Sequence, residues 1–232
     1  MRLIVNESQI KSRTRMGEIA PLIGLGLVVA MTVLLFWKPD LSWLTLIVVW
    51  IGFMFSLVGA YLGGRYVGPL AHHKKVPEAL KGLENSFALL VYQTPAPFVL
   101  VDPGGLTVIF VRSQSGHITY QNGKWRHQEK LGWLKRFIGQ EGLGRPDQMA
   151  LLEMEDLQRF LRKRLPEGVE IPVRAVILFV HPDAVVEAEG SPVPAFRMPD
   201  LKRWLRKEGR RPNLPKEVLQ QLYEALHIEA ES

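Results

Sequence analysis

The side chains able to do chemistry are dispersed along this chain. It contains no Cys, so thiol nucleophiles, disulfides and Cys-ligated zinc are excluded. His72 and His73 are adjacent. On a helix they would point about 100° apart, whereas metal-binding pairs on one helix sit at i and i+4, so they read as interfacial residues beside Lys74 and Lys75. His117 could contact a phosphate or simply face solvent. Asp102 stands in an Asp-Pro-Gly-Gly stretch whose turn chemistry already accounts for it. Glu141, Asp147 and Glu153 are neighbours in sequence only. Lys130, Lys135 and Arg136 are mixed with Trp133, Phe137 and Ile138, a combination that nucleic-acid contacts use. The glycine-rich stretch 127–146 also reads as a loop over a sheet edge, or as an amphipathic helix lying on a membrane or partner. No phosphate loop, Ser-His-Asp set or HExxH occurs, and no metal or cofactor is expected.

The elements that must position these residues divide sharply. Ile19 to Trp37 and Leu41 to Leu62 contain no charged residue, and each is long enough for a helix to cross a hydrocarbon core that needs about 20 residues. A signal peptide would have a shorter apolar region and a small-residue cleavage site. Only Lys38, Pro39 and Asp40 separate the runs, so the helices must be antiparallel neighbours. Trp37, Trp43 and Tyr61 lie near the ends, where amphipathic rings favour the headgroup zone. Arg2, Lys11, Arg13 and Arg15 precede the first run and Arg65, Lys74 and Lys75 follow the second, against Lys38 alone between them. The positive-inside rule then puts both termini in the cytoplasm of a multi-pass plasma-membrane protein. Gly59 and Gly63 form a GxxxG pair. It reads as packing against the first span through Ala20 and Gly24, with oligomerisation as the alternative. Neither span carries a charged or His side chain, which argues against transport.

After a glycine- and proline-marked exit (Gly63, Gly64, Gly68, Pro69), hydrophobic periodicity predicts a helix over 74–84. Strands follow at 87–92, 98–101 and 106–112, the last nearly all apolar and hence central. A hairpin follows at 117–126 with Asn122-Gly123 at its turn. A helix over 147–165 has Met149, Leu152, Leu157, Phe160 and Leu161 on its apolar face. A buried strand over 171–180, short edge strands at 185–188 and 193–197, and helices near 199–207 and 215–227 complete the chain. The domains are thus a tail over 1–18, transmembrane helices over 19–37 and 41–62, and a soluble α/β (α+β) domain over 70–232. The net charge of +6 suits attraction to anionic headgroups and also permits nucleic-acid contact.

The order helix, strand, strand, strand, helix, strand from 74 to 180 resembles the αβββαβ core of the restriction-endonuclease-like superfamily, here with C-terminal helices. Pro97 to Arg112, PFVLVDPGGLTVIFVR, followed by Gly116-His117-Ile118, is similar to the central motif of the NERD (nuclease-related) domain. That motif runs Asp-His, an apolar run, Pro-x-Gly, an apolar run, Glu-x-Lys, then Gly-x-Ile. The resemblance covers about half the chain and implies a metal-dependent nuclease site of Asp, Glu and Lys, plus an acid on the preceding helix. In this chain those positions fall on Pro97, Phe110, Arg112 and His73. Pro and Phe cannot ligate a metal, and Arg cannot act as a base. Another register places Glu78 in the helix position without restoring the others. The resemblance therefore implies a catalytically inactive module, a pseudoenzyme, that binds or scaffolds at the inner membrane face. Its partners would be the bilayer and a nucleic acid or a protein, with Arg112, Lys124 and Arg126 lining a basic groove. The alternatives are an active nuclease using displaced carboxylates (Glu141, Asp147, Glu153) and a structural domain that binds protein or lipid.

Overall fold

In the computed structural model, residues 1–38, 40, 42–129, 142–207, 209 and 211–228 are described. The chain forms two units: one contains residues 1–6 and most of the chain after 72, the other contains residues 7–72. They are described separately.

The helical unit consists of α1 (Glu7–Trp37) and α2 (Ser42–Tyr66). Both are long and apolar enough to cross a membrane. Their apolar side chains point outward: Leu22 is 66% exposed, Leu46 69% and Trp50 63%. A helix buried in a soluble core would hide such side chains. Small residues let the helices touch. A Cβ added to Gly24 would sit 2.6 Å from the Gly52 carbonyl oxygen, and one added to Gly59 would collide with the ring of Pro21. Gly59 thus packs within the chain, and Gly17 in turn meets the backbone of Gly63. The expected interruption at Gly63 and Gly64 does not occur. The helix continues to Tyr66, because a helical glycine costs only about 1 kcal/mol, and the chain turns instead at Gly68, where φ is +84°.

The second unit is a mixed α/β domain. Its main sheet has the order β1-β2-β3-β4-β7-β9, with β1 at Arg2–Val5, β2 at Ala88–Val91, β3 at Phe98–Asp102, β4 at Gly105–Arg112, β7 at Val173–Phe179 and β9 at Ala195–Arg197. β2, β3 and β4 form an antiparallel meander, and β7 runs parallel to β4 in a seven-residue register from Leu106↔Val173 to Arg112↔Phe179. β2, β3 and β4 are buried along their whole length, which is why they read as continuous apolar runs. A smaller sheet, β6-β5-β8, is built from β5 (Gly116–Gln121), β6 (Lys124–Gln128) and β8 (Ala184–Glu187). Its hairpin turns at Asn122 and Gly123 with φ of +51° and +74°, the left-handed geometry that selects Asn-Gly.

Period-2 alternation gives the main sheet two apolar faces. Ala88, Leu90, Val99, Val101, Leu106, Val108, Phe110, Ala175, Ile177 and Phe179 face one core. Ala150, Leu157 and Leu161 of α4 (Pro146–Arg162) and Leu222 of the C-terminal helix α6 (Lys216–Ala225) pack on it. The opposite face carries Leu89, Leu100, Ile109 and Leu178, each 1% exposed or less. There, Trp204 of α5 (Met198–Arg206) packs on Phe196 at 4.9 Å and under the Arg174 guanidinium at 4.6 Å. The helix expected over 74–84 spans His72–Leu80 and is α3; its Val76 and Leu80 are fully buried.

The assignment of residues 1–18 to a tail is corrected at both ends. Arg2 to Val5 pair in parallel with Ala88 to Val91, with Arg2 N donating to Phe87 O at 2.8 Å and Asn6 N to Val91 O at 3.0 Å. The helix then begins at Glu7, not Ile19. Leu3-Ile4-Val5 is too short to signal a strand by alternation, and its partner lies more than eighty residues away. Because Ile4 packs against the core whereas Leu3 is 50% exposed, Ile4→Asp is expected to destabilise the domain by about 2 kcal/mol. Leu3→Asp should be nearly neutral. Denaturant unfolding of the solubilised full chain measures both.

Candidate functional site

Two polar constellations lie in the α/β domain, one at each end of the β4–β7 ladder. At the C-terminal end of β4, Phe110 and Arg112 stand two residues apart and so share a face. Phe110 is 6% exposed and belongs to the core under α4. The Arg112 side chain folds back so that its guanidinium carbon lies 4.8 Å from the Phe110 ring centre, leaving Arg112 8% exposed. Stacking on an aromatic face suits a weakly hydrated guanidinium at the rim of a core. Pro97 immediately precedes β3, and its carbonyl accepts a 2.8 Å hydrogen bond from Tyr92 N. His73 lies on α3; burial, and secondarily the charge of Lys74, lower its pKa below the usual histidine value.

The basic residues expected to line one groove are not brought together. Lys124, Arg126 and Gln128 occupy the exposed side of β6, whose other side carries Trp125, packed on Phe179 at 6.5 Å. Their outward face includes Glu187, paired with His117 at 3.0 Å, so it is not uniformly positive. Arg112, by contrast, is buried against Phe110. Lys135 and Arg136 lie outside the described residues, as does Glu141. Asp147 is 5% exposed in the first turn of α4, and its Oδ1 has no hydrogen-bond partner among the described residues. Glu153 follows six residues later, roughly 120° around the helix, so the two acids do not share a face. Among the described residues, no group of three or more His, Cys, Asp and Glu could hold a metal ion.

The second constellation went unrecognised from sequence apart from Asp102. At the opposite end of the ladder, Asp102 Oδ1 accepts a 2.8 Å bond from Gly104 N. Its Oδ2 accepts one of 2.7 Å from Arg211 Nη2 and lies 3.9 Å from Arg174. Arg211 also donates to the carbonyls of Leu106 and Pro172 at 3.2 and 3.1 Å, joining the starts of β4 and β7 to the end of β3. Arg174 donates to Thr107 Oγ1 at 2.9 Å and to Gly209 O at 2.7 Å. A Cβ on Gly104 would approach Arg211 Cβ to 2.6 Å, so the second half of the Asp-Pro-Gly-Gly turn makes room for this arginine. Burial, then the neighbouring Arg211, pull the Arg174 pKa down to about 10, while Asp102 opposes them. These groups border a cleft of about 370 Å³ that Glu84 and Arg206 also line. Both Asp102 oxygens are engaged and each guanidinium makes at least two hydrogen bonds, so the cluster acts as a staple across three strand ends. A lone Arg inside the apolar run 171–180 was the available signal, since a charge on a buried strand requires a partner.

Comparison with protein-family models, with curated proteins and with solved structures finds no match to this chain. Removing the staple's single carboxylate would leave two guanidiniums in one cleft. Asp102→Ala is therefore expected to cost about 3 kcal/mol, read as a fall in the unfolding midpoint. The double variant with Arg211→Met should lose less than the sum of the two single changes.

Proposed function

We propose that the chain is a membrane-anchored binding module. In this reading α1 and α2 form a transmembrane hairpin. The α/β domain is a restriction-endonuclease-like, NERD-related fold at the cytoplasmic face, and it has exchanged nuclease chemistry for binding or scaffolding. The observation that carries the reading is the Phe110–Arg112 pair. It occupies the positions where the resembled motif places its Glu and Lys, and Phe110 is committed to the core. A hard divalent cation requires carboxylate oxygens, and neither residue supplies one. The succession α3, β2, β3, β4, the hairpin β5–β6, α4 and β7, with β7 parallel to β4, supports the resemblance.

Connectivity supports the orientation. The chain leaves the main sheet at β1, passes through α1 and α2, and returns to the same sheet at β2. Two crossings bring a chain back to its starting side, and the clusters of Arg and Lys at both ends of the pair favour the cytoplasm for that side.

The decisive assay incubates the detergent-solubilised full chain with plasmid and single-stranded DNA in Mg²⁺ or Mn²⁺, with gel shifts at two salt concentrations in parallel. No cleavage is expected. Cleavage abolished by a chelator overturns the proposal in favour of a nuclease with displaced carboxylates. A salt-sensitive shift without cleavage identifies nucleic acid as the partner, and the absence of both leaves a protein. The orientation has its own test, helped by a chain without Cys. In intact cells an impermeant maleimide should label Lys38→Cys and spare Gln128→Cys, and the reverse pattern would invert the topology.

A further inference from the structure

Along one side of the α1–α2 pair runs a groove of about 880 Å³. One end is polar: Ser8, Lys11, Ser12 and Arg15 of α1 line it. The other end is apolar, formed by Ile19 and Ile23 of α1 with Phe55 and Val58 of α2. Lys11, Arg15, Ile19 and Ile23 follow one another at intervals of four, so they form a single stripe along the helix. The stripe changes from cationic to aliphatic within one turn, and from Ser8 to Ile23 it spans about 22 Å of helix at the standard rise.

We propose that this groove binds one anionic phospholipid, the headgroup held by Lys11 and Arg15 and an acyl chain laid over Ile19, Ile23, Phe55 and Val58. The inference rests on the membrane placement proposed above. Charge complementarity selects the occupant. The polar end presents two cations and two hydroxyls, and the two carboxylates of α1, Glu7 and Glu18, do not line the groove. Among the described residues, neither Lys11 nor Arg15 has an ion-pair partner. A phosphodiester would supply the missing counter-charge, in a leaflet whose anionic lipids already attract such side chains. The hydroxyl of Ser12 would add a donor to a phosphate or glycerol oxygen. A second copy of the hairpin fits less well. A twofold axis along the membrane normal would set the Lys11 and Arg15 of the two copies at one depth, facing each other with like charge. The groove also offers what a lipid chain needs on its apolar side: Phe55 and Val58 are 37% and 46% exposed.

The test uses the full chain extracted in a mild detergent, with dioleoyl phosphatidylglycerol and dioleoyl phosphatidylcholine supplied in equal amounts. Native mass spectrometry counts the lipids retained. The expected result is one phosphatidylglycerol per chain, preferred over phosphatidylcholine by roughly tenfold. Lys11→Gln with Arg15→Gln should bring the ratio to about one, whereas Lys38→Gln should leave it unchanged. Val58→Trp, which fills the apolar end and keeps the charges, should reduce retention of both lipids. Equal retention by the wild-type chain overturns the site, as does a preference that survives the double charge variant. A cysteine at Ile23 that cross-links to its copy in membranes overturns it in favour of a dimer. Alkaline extraction separates the two levels of failure. Release of the chain into the supernatant removes the membrane placement and the site with it. Retention in the pellet without lipid preference removes the site alone.

Discussion

The parallel ladder between β4 and β7 is the interaction on which the α/β domain depends. Parallel strands cannot be joined by a tight turn, so this ladder requires a crossover, and α4 supplies it. Pairing two strands at the centre of the sheet also buries both of their faces. That demands a layer on each side: α4 and α6 over Phe110, Ile177 and Phe179, and α5 over Leu178 and Arg174. The hairpin β5–β6 becomes part of the first layer when Trp125 reaches Phe179. The antiparallel meander β2–β3–β4 extends the ladder on one side, and β9 closes it on the other.

The two ends of this ladder carry opposite solutions to the same electrostatic problem. At the beginning of β4 and β7 the strands start within a polar cleft, and a carboxylate lies between guanidiniums. Asp102 organises its own turn with one oxygen and holds Arg211 with the other, while Arg211 satisfies the carbonyls of Leu106 and Pro172. At the far end the corresponding position is occupied by a single guanidinium lying on an aromatic ring. A divalent cation would need acids where this chain has placed Phe110. At that end the guanidinium lies on a ring, and at the other a carboxylate meets two guanidiniums. The first arrangement contributes to packing and the second stitches strand ends together.

Much of this organisation was legible in the residues themselves. Uninterrupted apolar runs marked the buried strands, Asn122-Gly123 marked the hairpin, and the periodicity of Leu157 and Leu161 marked α4. What could not be read were the features defined by distant partners. Nothing local distinguishes Leu3-Ile4-Val5 from a tail, since its identity as a strand comes from Leu89, Leu90 and Val91. Arg211 has no local signature either; its role exists only because the sheet brings Asp102 and Pro172 to it. The expected groove of Arg112, Lys124 and Arg126 failed for a related reason. Sequence proximity places them near one another, but the pleat turns Arg112 inward and Lys124 and Arg126 outward.

The strand β1 also governs how the helical pair and the α/β domain are joined. A domain attached to a helix by one linker is constrained at one point. Here the chain enters α1 directly from a hydrogen-bonded strand, with only Asn6 between Val5 and Glu7, and returns after α2 into α3. Both ends of the helical pair are therefore continuous with one folded sheet. Pulling the first helix away would strip β1 from β2 and expose an unpaired edge, which is costly in itself and prone to false pairing. Stability of the sheet and the path of the first helix are consequently coupled through the four residues of β1. That coupling gives the short strand a role out of proportion to its length.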